Sequence, residues 1–212
     1  VDIEEHVSQT HQLLRWNVLL PVVAGLVSAA SPVFAHFGSL TSWTYDTGVY
    51  FGASVRLVHG VLPYRDFVLL HPPGLALLLS PVSLLSYAFG TSAAIAMARI
   101  VVILVIGLNA GLAAALLRFR GTGPSFVAGI FLALYPTVAA NSSTISLEPF
   151  LMCFCLLSFA FAFQRGRLVL GRRAWLAGLA MGLAGTMKIW AFFPFLVVAI
   201  AYLIASRRDG AR

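Results

Sequence analysis

The chain has 212 residues, of which 60% are hydrophobic and only 10% charged, and its mean hydropathy is +0.93. This composition excludes a soluble domain of this size, and the lack of alternating short strands excludes a membrane β-barrel. The formal net charge of +7 does not mark a nucleic-acid binder, because the basic residues stand in short clusters between apolar runs, where they orient a membrane protein.

Residues 1–12 are polar and mildly acidic and read as a cytoplasmic lead-in, with no cleavable signal peptide evident behind it. A first transmembrane helix is expected over 16–35, with Pro21 near its start and Trp16 at the interface. The stretch 45–74, YDTGVYFGASVRLVHGVLPYRDFVLLHPPG, is neither continuously apolar nor a short basic hinge. Polar groups gathered beside a bilayer are costly unless they do something. Within it Val49, Ala53 and Leu57 recur every four residues while Gly52, Arg56 and His59 share another face, which predicts a short amphipathic helix at the membrane surface. Residues 60–63 break it, and His71-Pro72-Pro73-Gly74 is a second break from which a helix can start. The apolar run 75–89 carries Pro81 and ends at Gly90; it either crosses the membrane or lies against it.

The run 92–117 is expected to span, and the Arg118/Arg120 pair behind it belongs on the cytoplasmic side. With 75–89 lying at the interface, every basic cluster falls inside. In that arrangement 124–140 runs out and 147–163 returns to Arg165, Arg167, Arg172 and Arg173; 174–187 runs out and 190–205 returns to Arg207 and Arg208. The expected fold class is therefore an all-α polytopic membrane protein with about six transmembrane helices and juxtamembrane amphipathic helices in the first external loop. The run 174–187 covers about 21 Å at 1.5 Å per residue, short of the roughly 30 Å hydrocarbon layer. Lys188 thus stands at a broken outer tip, with Trp190 beside it at an interface or binding rim. Gly178, Gly182 and Gly185 read as a face for close helix packing. Cys153 and Cys155 point to different helix faces and read as buried free thiols.

This topology collects Asp46, Arg56, His59, Arg65, Asp66, His71, Arg99, Asn141, Glu148 and Lys188 at the external face from distant parts of the chain. Arg99, two turns into its helix, is expected to snorkel outward. Carboxylates and cations at a membrane interface suit an anionic lipid carrying a group to be transferred. Arginine and lysine hold a phosphate, a carboxylate takes the proton of an attacking hydroxyl, and cations stabilise the departing group. Asp46 is the candidate base, with helix N-capping as its structural alternative. Asp66 beside Arg65 reads more readily as a local ion pair, and His71 before two prolines as a turn closure. Arg56 and His59 form the wet face of a surface helix or bind lipid headgroups. Glu148 reads as a helix-start carboxylate, while Lys188 in apolar surroundings needs a partner or water. No P-loop, dinucleotide fingerprint, zinc spacing or nucleophile elbow is present.

Asp46-x-x-x-Tyr50, Gly60, Pro63, Phe67, His71-Pro72-Pro73-Gly74 and Phe89-Gly90 resemble the first external loop of the glycosyltransferase C superfamily. The resemblance is to its protein-mannosyltransferase-like branch, which includes lipid A aminoarabinose transferases; polyprenyl-phosphate mannosyltransferases of actinobacteria look similar. Arg99, Arg118 and Arg120, Glu148-Pro149 and the glycine-rich approach to Lys188 extend it over nearly the whole chain. It implies a polyprenyl-phosphate sugar as donor, a glycan, lipid or protein as acceptor, and inversion at the anomeric centre. Carried over, Asp46 is the catalytic base, and His71, where some relatives carry lysine, approaches the donor phosphate. Lys188, Arg99, Arg65 and Arg56 are the further phosphate- or lipid-binding candidates, and Tyr50, Asp66, Glu148 and Trp190 shape the substrate site. Thr47 stands where many relatives have a second acid, so no cofactor and no obligatory divalent metal is expected.

Relatives are typically much longer. Residues 1–212 are accordingly expected to be the N-terminal transmembrane core of a glycosyltransferase lacking its C-terminal half, with 36–91 as the external catalytic loop. The expected location is a bacterial cytoplasmic membrane with the active site facing outside, in contact with membrane lipid and without a nucleic-acid partner. Two rival readings are a polyprenyl-phosphate or lipid transporter or flippase, and a non-catalytic membrane subunit.

Overall fold

The structure is a computed structural model and describes residues 2–35, 40–41, 43–135 and 144–209. Its long elements are helices: α1 (Asp2–Ala35), α2 (Gly52–Val58), α3 (Gly74–Ser83), α4 (Leu85–Leu117), α5 (Thr122–Leu134), α6 (Glu148–Ala162), α7 (Arg172–Met187) and α8 (Phe192–Asp209). Between α6 and α7 a small antiparallel hairpin pairs β1 (Phe163–Gln164) with β2 (Arg167–Leu168), Phe163 facing Leu168.

Among the described residues, Leu85–Arg120 and Ile189–Arg207 are long and apolar enough to cross a membrane. With the apolar character of the rest of the chain, they make this an all-α membrane protein. Three further helices, Gly74–Ser83, Thr122–Leu134 and Glu148–Ala162, are apolar but shorter. At 1.5 Å per residue, α3 covers about 15 Å, half of a roughly 30 Å hydrocarbon layer. The run 75–89 forms α3 and the start of α4, joined through Leu84 (φ −59°, ψ −28°), and Gly90 (φ +81°) separates it from the rest of α4.

Two boundaries depart from the sequence expectation. Residues 2–12 are helical as part of α1 instead of a separate lead-in. No proline or glycine occurs before Pro21, and extending a helix adds one hydrogen bond per residue without a new nucleus. The helix expected over 124–140 ends at Leu134, where Tyr135 turns extended (φ −63°, ψ 122°). Tyr135 precedes Pro136, and proline disfavours helical backbone in the residue before it. The rest of that predicted run, and Asn141, lie outside the described residues.

Helix α4 is the hub. It packs on α1, α5, α6 and α3, while α6 packs on α7. Gly107 and Gly111 let α1 approach α4, since a β-carbon there would run into Leu26 and Val22. The glycine-packing expectation for α7 is overturned: Gly178, Gly182 and Gly185 face open space. Helix α7 buries the opposite face, through Ala177, Ala180, Met181, Ala184 and Met187. The main core joins Phe51, Leu75, Leu79, Ile95, Val102, Ile106, Leu147, Phe150 and Met187. It therefore ties the 45–74 loop to α3, α4, the start of α6 and the end of α7. Cys153 is buried, Cys155 half-buried, and both are free thiols as expected.

Candidate functional site

A stitch of threonines draws the first loop onto the segment before α6. Thr44 Oγ1 lies 2.8 Å from Thr47 Oγ1 and 2.6 Å from Thr144 Oγ1. The Ile145 N–H donates to Thr47 Oγ1 at 3.3 Å, and Thr47 is fully buried. Asp46 is thereby held at the same end of the molecule as Glu148.

Asp46 is half-buried and stands at the head of a π turn, Thr47–Phe51, that runs into α2. Such wide turns recur at functional sites. Its backbone is already helical (φ −64°, ψ −40°) and its side chain makes no capping hydrogen bond. The N-cap alternative is thus not realised.

Tyr50 stands on the next turn. Its hydroxyl lies 3.3 Å from His71 Nδ1, with the two rings edge to face at 5.7 Å. Burial, then the negative charges of Asp46 and Glu148, push its phenol up to about 12. Two carboxylates from distant parts of the chain therefore bear on one phenol.

The His71 carbonyl accepts a 2.6 Å hydrogen bond from the Tyr64 hydroxyl. Tyr64 has φ +66°, a conformation that a bulky residue rarely adopts. Its turn is closed by Tyr64 N–H donating to Phe67 O (2.8 Å) and Asp66 N–H donating to Leu62 O (2.9 Å). In the same turn, Asp66 accepts from Leu62 N–H at 2.7 Å and from Arg65 through two 2.9 Å bonds. The Arg65 guanidinium, then the Leu62 N–H, hold the Asp66 carboxyl below the usual carboxylate range. Arg65 and Asp66 form the local pair. Arg56 is exposed and lies over the Phe67 ring at 5.0 Å, and exposed His59 stacks on Tyr87 at 4.5 Å. Arg56 stands on the exposed face of α2 and His59 just past its end.

Gly74, the last residue of the H-P-P-G run, meets the end of α7. A β-carbon there would collide with the backbone carbonyl of Thr186. Two residues on, the chain leaves the helix at Lys188 (φ −156°, ψ 141°). Lys188 Nζ donates to Glu148 Oε1 at 2.7 Å, its side chain 22% exposed against 42% for Glu148. The partner that an apolar-flanked lysine requires is therefore Glu148, which also faces the positive end of the α6 dipole. Trp190 is exposed and stacks on Phe193 at 5.8 Å, beside exposed Ile189 and Phe192. These side chains form an aromatic rim next to the ion pair.

Arg99 corrects the snorkelling expectation, because it is fully buried. Ile95, Ala98 and Val102, which share its face of α4, are buried as well, so Arg99 lies on the packed side of the helix.

The structure brings together Asp46, Tyr50, His71, Glu148 and Lys188. It leaves Arg56, Arg65 and Asp66 with local partners and Arg99 inside the bundle. Thr44, Thr144 and Tyr64 escape the sequence reading, since a loop threonine or tyrosine has no spacing that announces a partner far along the chain. Among the described residues, no three of His, Cys, Asp or Glu gather closely enough to hold a metal ion.

The sequence pattern of glycosyltransferase family 87 matches residues 69–212. The matched segment contains His71, Gly74, Glu148 and Lys188 and begins after Asp46 and Tyr50. No curated protein and no solved structure matches the chain.

Proposed function

We propose that this chain, which belongs to glycosyltransferase family 87, moves a sugar from a polyprenyl-phosphate carrier to an acceptor hydroxyl with inversion, Asp46 acting as general base. The observation that carries the reading is the hydrogen bonding of Thr44 and Thr47 to Thr144 and Ile145, which holds Asp46 at the same end of the molecule as Glu148, with Lys188 bonded to Glu148. A base for the attacking hydroxyl and a cation for the departing phosphate are then within one site.

In this reading Asp46 takes the proton of the acceptor hydroxyl as its oxygen attacks the anomeric carbon. The bond from that carbon to the phosphate oxygen breaks, and polyprenyl phosphate leaves with the electron pair. Direct displacement by one nucleophile inverts the centre. Asp46 suits the role because no helix cap occupies its side chain. Lys188 stabilises charge on the departing phosphate, and Glu148 holds the lysine in position. Tyr50, whose raised pKa keeps its hydroxyl protonated, is hydrogen-bonded to His71 Nδ1 and positions the ring that approaches the phosphate. The exposed Ile189–Phe193 rim receives the carrier chain. Arg56, Arg65 and Arg99 contribute at most through the surrounding field.

The same reading makes the protein multi-pass, with about six crossings and 75–89 at the interface. It faces the site outward from a bacterial cytoplasmic membrane, because Arg118, Arg120, Arg165, Arg167, Arg172, Arg173 and Arg207 stand at the other ends of the helices. Residues 1–212 serve as the N-terminal core of a longer transferase. The acceptor is a glycan, lipid or protein hydroxyl, and no divalent metal takes part.

The test is Asp46→Asn in membranes carrying the protein, assayed with polyprenyl-phosphate sugars. Transfer should fall by at least about 100-fold, the usual size of general-base catalysis, with the protein inserted at its normal level. Undiminished transfer in that variant removes Asp46 as the base. Movement of the carrier without sugar consumption would make the protein a flippase.

A further inference from the structure

At the opposite end of α6 from Glu148, about 21 Å away at 1.5 Å per residue, lies an arginine-rimmed groove that the transfer reaction does not use. We propose that it binds one anionic membrane phospholipid, the phosphate headgroup held by Arg118, Arg165 and Arg167 and an acyl chain lying in the cleft between α4 and α6.

The groove is built. Helix α4 ends in a tight turn, Arg118–Arg120, and the β1–β2 hairpin sits on it. A β-carbon at Gly166 would collide with the Phe119 ring, so the hairpin tip rests on that ring. The Val169 N–H donates to Ala162 O at 2.8 Å, and the Tyr202 hydroxyl donates to Val169 O at 2.9 Å. These bonds clamp the hairpin between α6 and α8.

The hairpin turn is a two-residue one with Arg165 at φ +50° and Gly166 at φ +75°. Such turns favour asparagine, aspartate or glycine at both positions. An arginine held in the left-handed region is an outlier that points to a use for its side chain. Arg165 stands where two lobes of the groove meet. One, of about 490 Å³, is lined by Leu112, Leu116 and Phe163 together with Arg118. The other, of about 770 Å³, is bounded by Gln164, Arg167 and Val169.

Arg118, Arg165 and Arg167 are exposed, and Asp46, Asp66 and Glu148 belong to none of the segments that form the groove. Arg173 is already engaged, donating to Ala160 O at 3.3 Å. Guanidinium groups bind phosphate oxygens in pairs. A free phosphate would satisfy the arginine rim and leave the apolar lobe uncovered, whereas a phospholipid covers both. Charge and shape together select the lipid.

Native mass spectrometry of the purified protein reads the bound lipid directly, during titration with phosphatidylglycerol, phosphatidylcholine or inorganic phosphate. The wild type should retain one phosphatidylglycerol, and phosphatidylcholine should bind at least about tenfold more weakly. R118Q/R165Q should weaken phosphatidylglycerol by about 100-fold, about tenfold for each charged contact. R172Q/R207Q removes the same charge from the same end but outside the groove, and should keep wild-type affinity. R118K/R165K keeps the charge without the paired geometry and should fall between; it decides the matter if the glutamine variant does not fold. Equal losses in both glutamine variants, or none in either, overturn the proposal. So does displacement of the lipid by inorganic phosphate at equal concentration.

Discussion

Helix α6 separates two charged regions built on opposite plans. At its first residue, Glu148 is bonded to Lys188 and acts, with Asp46, on a phenol that is itself bonded to His71. At its far end, Arg118, Arg165 and Arg167 are exposed, and no acid is among the residues that line the groove they share. The first region mixes signs in half-shelter, so its side chains are held in position by one another. The second carries one sign in the open, which suffices to orient a membrane protein and attract an anion. Counts of charged residues cannot separate these plans; the connectivity of the side chains does.

The comparison breaks first if the two regions lie on one side of the membrane. Single cysteines at Tyr45 and Gly171, both exposed, in a background lacking Cys153 and Cys155, test it with a membrane-impermeant thiol reagent. The Tyr45→Cys protein should label in intact cells and the Gly171→Cys protein only after permeabilisation. Labelling of both from outside would end the two-sided reading.

A smaller effect probes how tightly the first region is built. Gly74→Ala forces a β-carbon against the Thr186 carbonyl and should destabilise the protein by about 1–3 kcal/mol, the usual cost of overpacking. Gly178→Ala meets open space inside a helix and should be neutral or stabilise by up to about 1 kcal/mol. Thermal unfolding in detergent should separate the two variants, and equal melting temperatures would show the Gly74 contact to be slack.

The Glu148–Lys188 pair is half-exposed, so a double-mutant cycle with E148Q and K188Q should return a coupling of only about 1 kcal/mol in stability. A coupling of zero would leave Glu148 without a hold on the lysine.

The smallest signal is spectroscopic. With its pKa raised to about 12 from the ordinary 10.0, Tyr50 should ionise late in an alkaline titration. Tyr50→Phe should delete that late component from an absorbance titration. The sign follows from linkage: the raised value stabilises the fold fully below pH 10 and this contribution is lost as pH rises towards 12, because the unfolded phenol ionises first. An early-titrating Tyr50 would mean that neither its burial nor the charges of Asp46 and Glu148 act on it as the structure implies.

The sequence alone determined the membrane class, the predominantly helical fold and the break at Lys188. These follow from local composition, periodicity and helix-breaking residues, which act through neighbouring positions in the chain. It also named Asp46, Glu148 and Lys188 as one collection, because the alternation of basic clusters places helix ends on sides. Tertiary structure alone decided which members of that collection touch. Arg65 and Asp66 satisfy each other within one turn, Arg99 is enclosed by its own helix and those packed on it, and Lys188 finds Glu148. The threonine stitch from Thr44 and Thr47 to Thr144 was invisible for the same reason that Gly178, Gly182 and Gly185 misled. A residue's type states which contacts it permits, but only packing orients the helix face or loop that makes them.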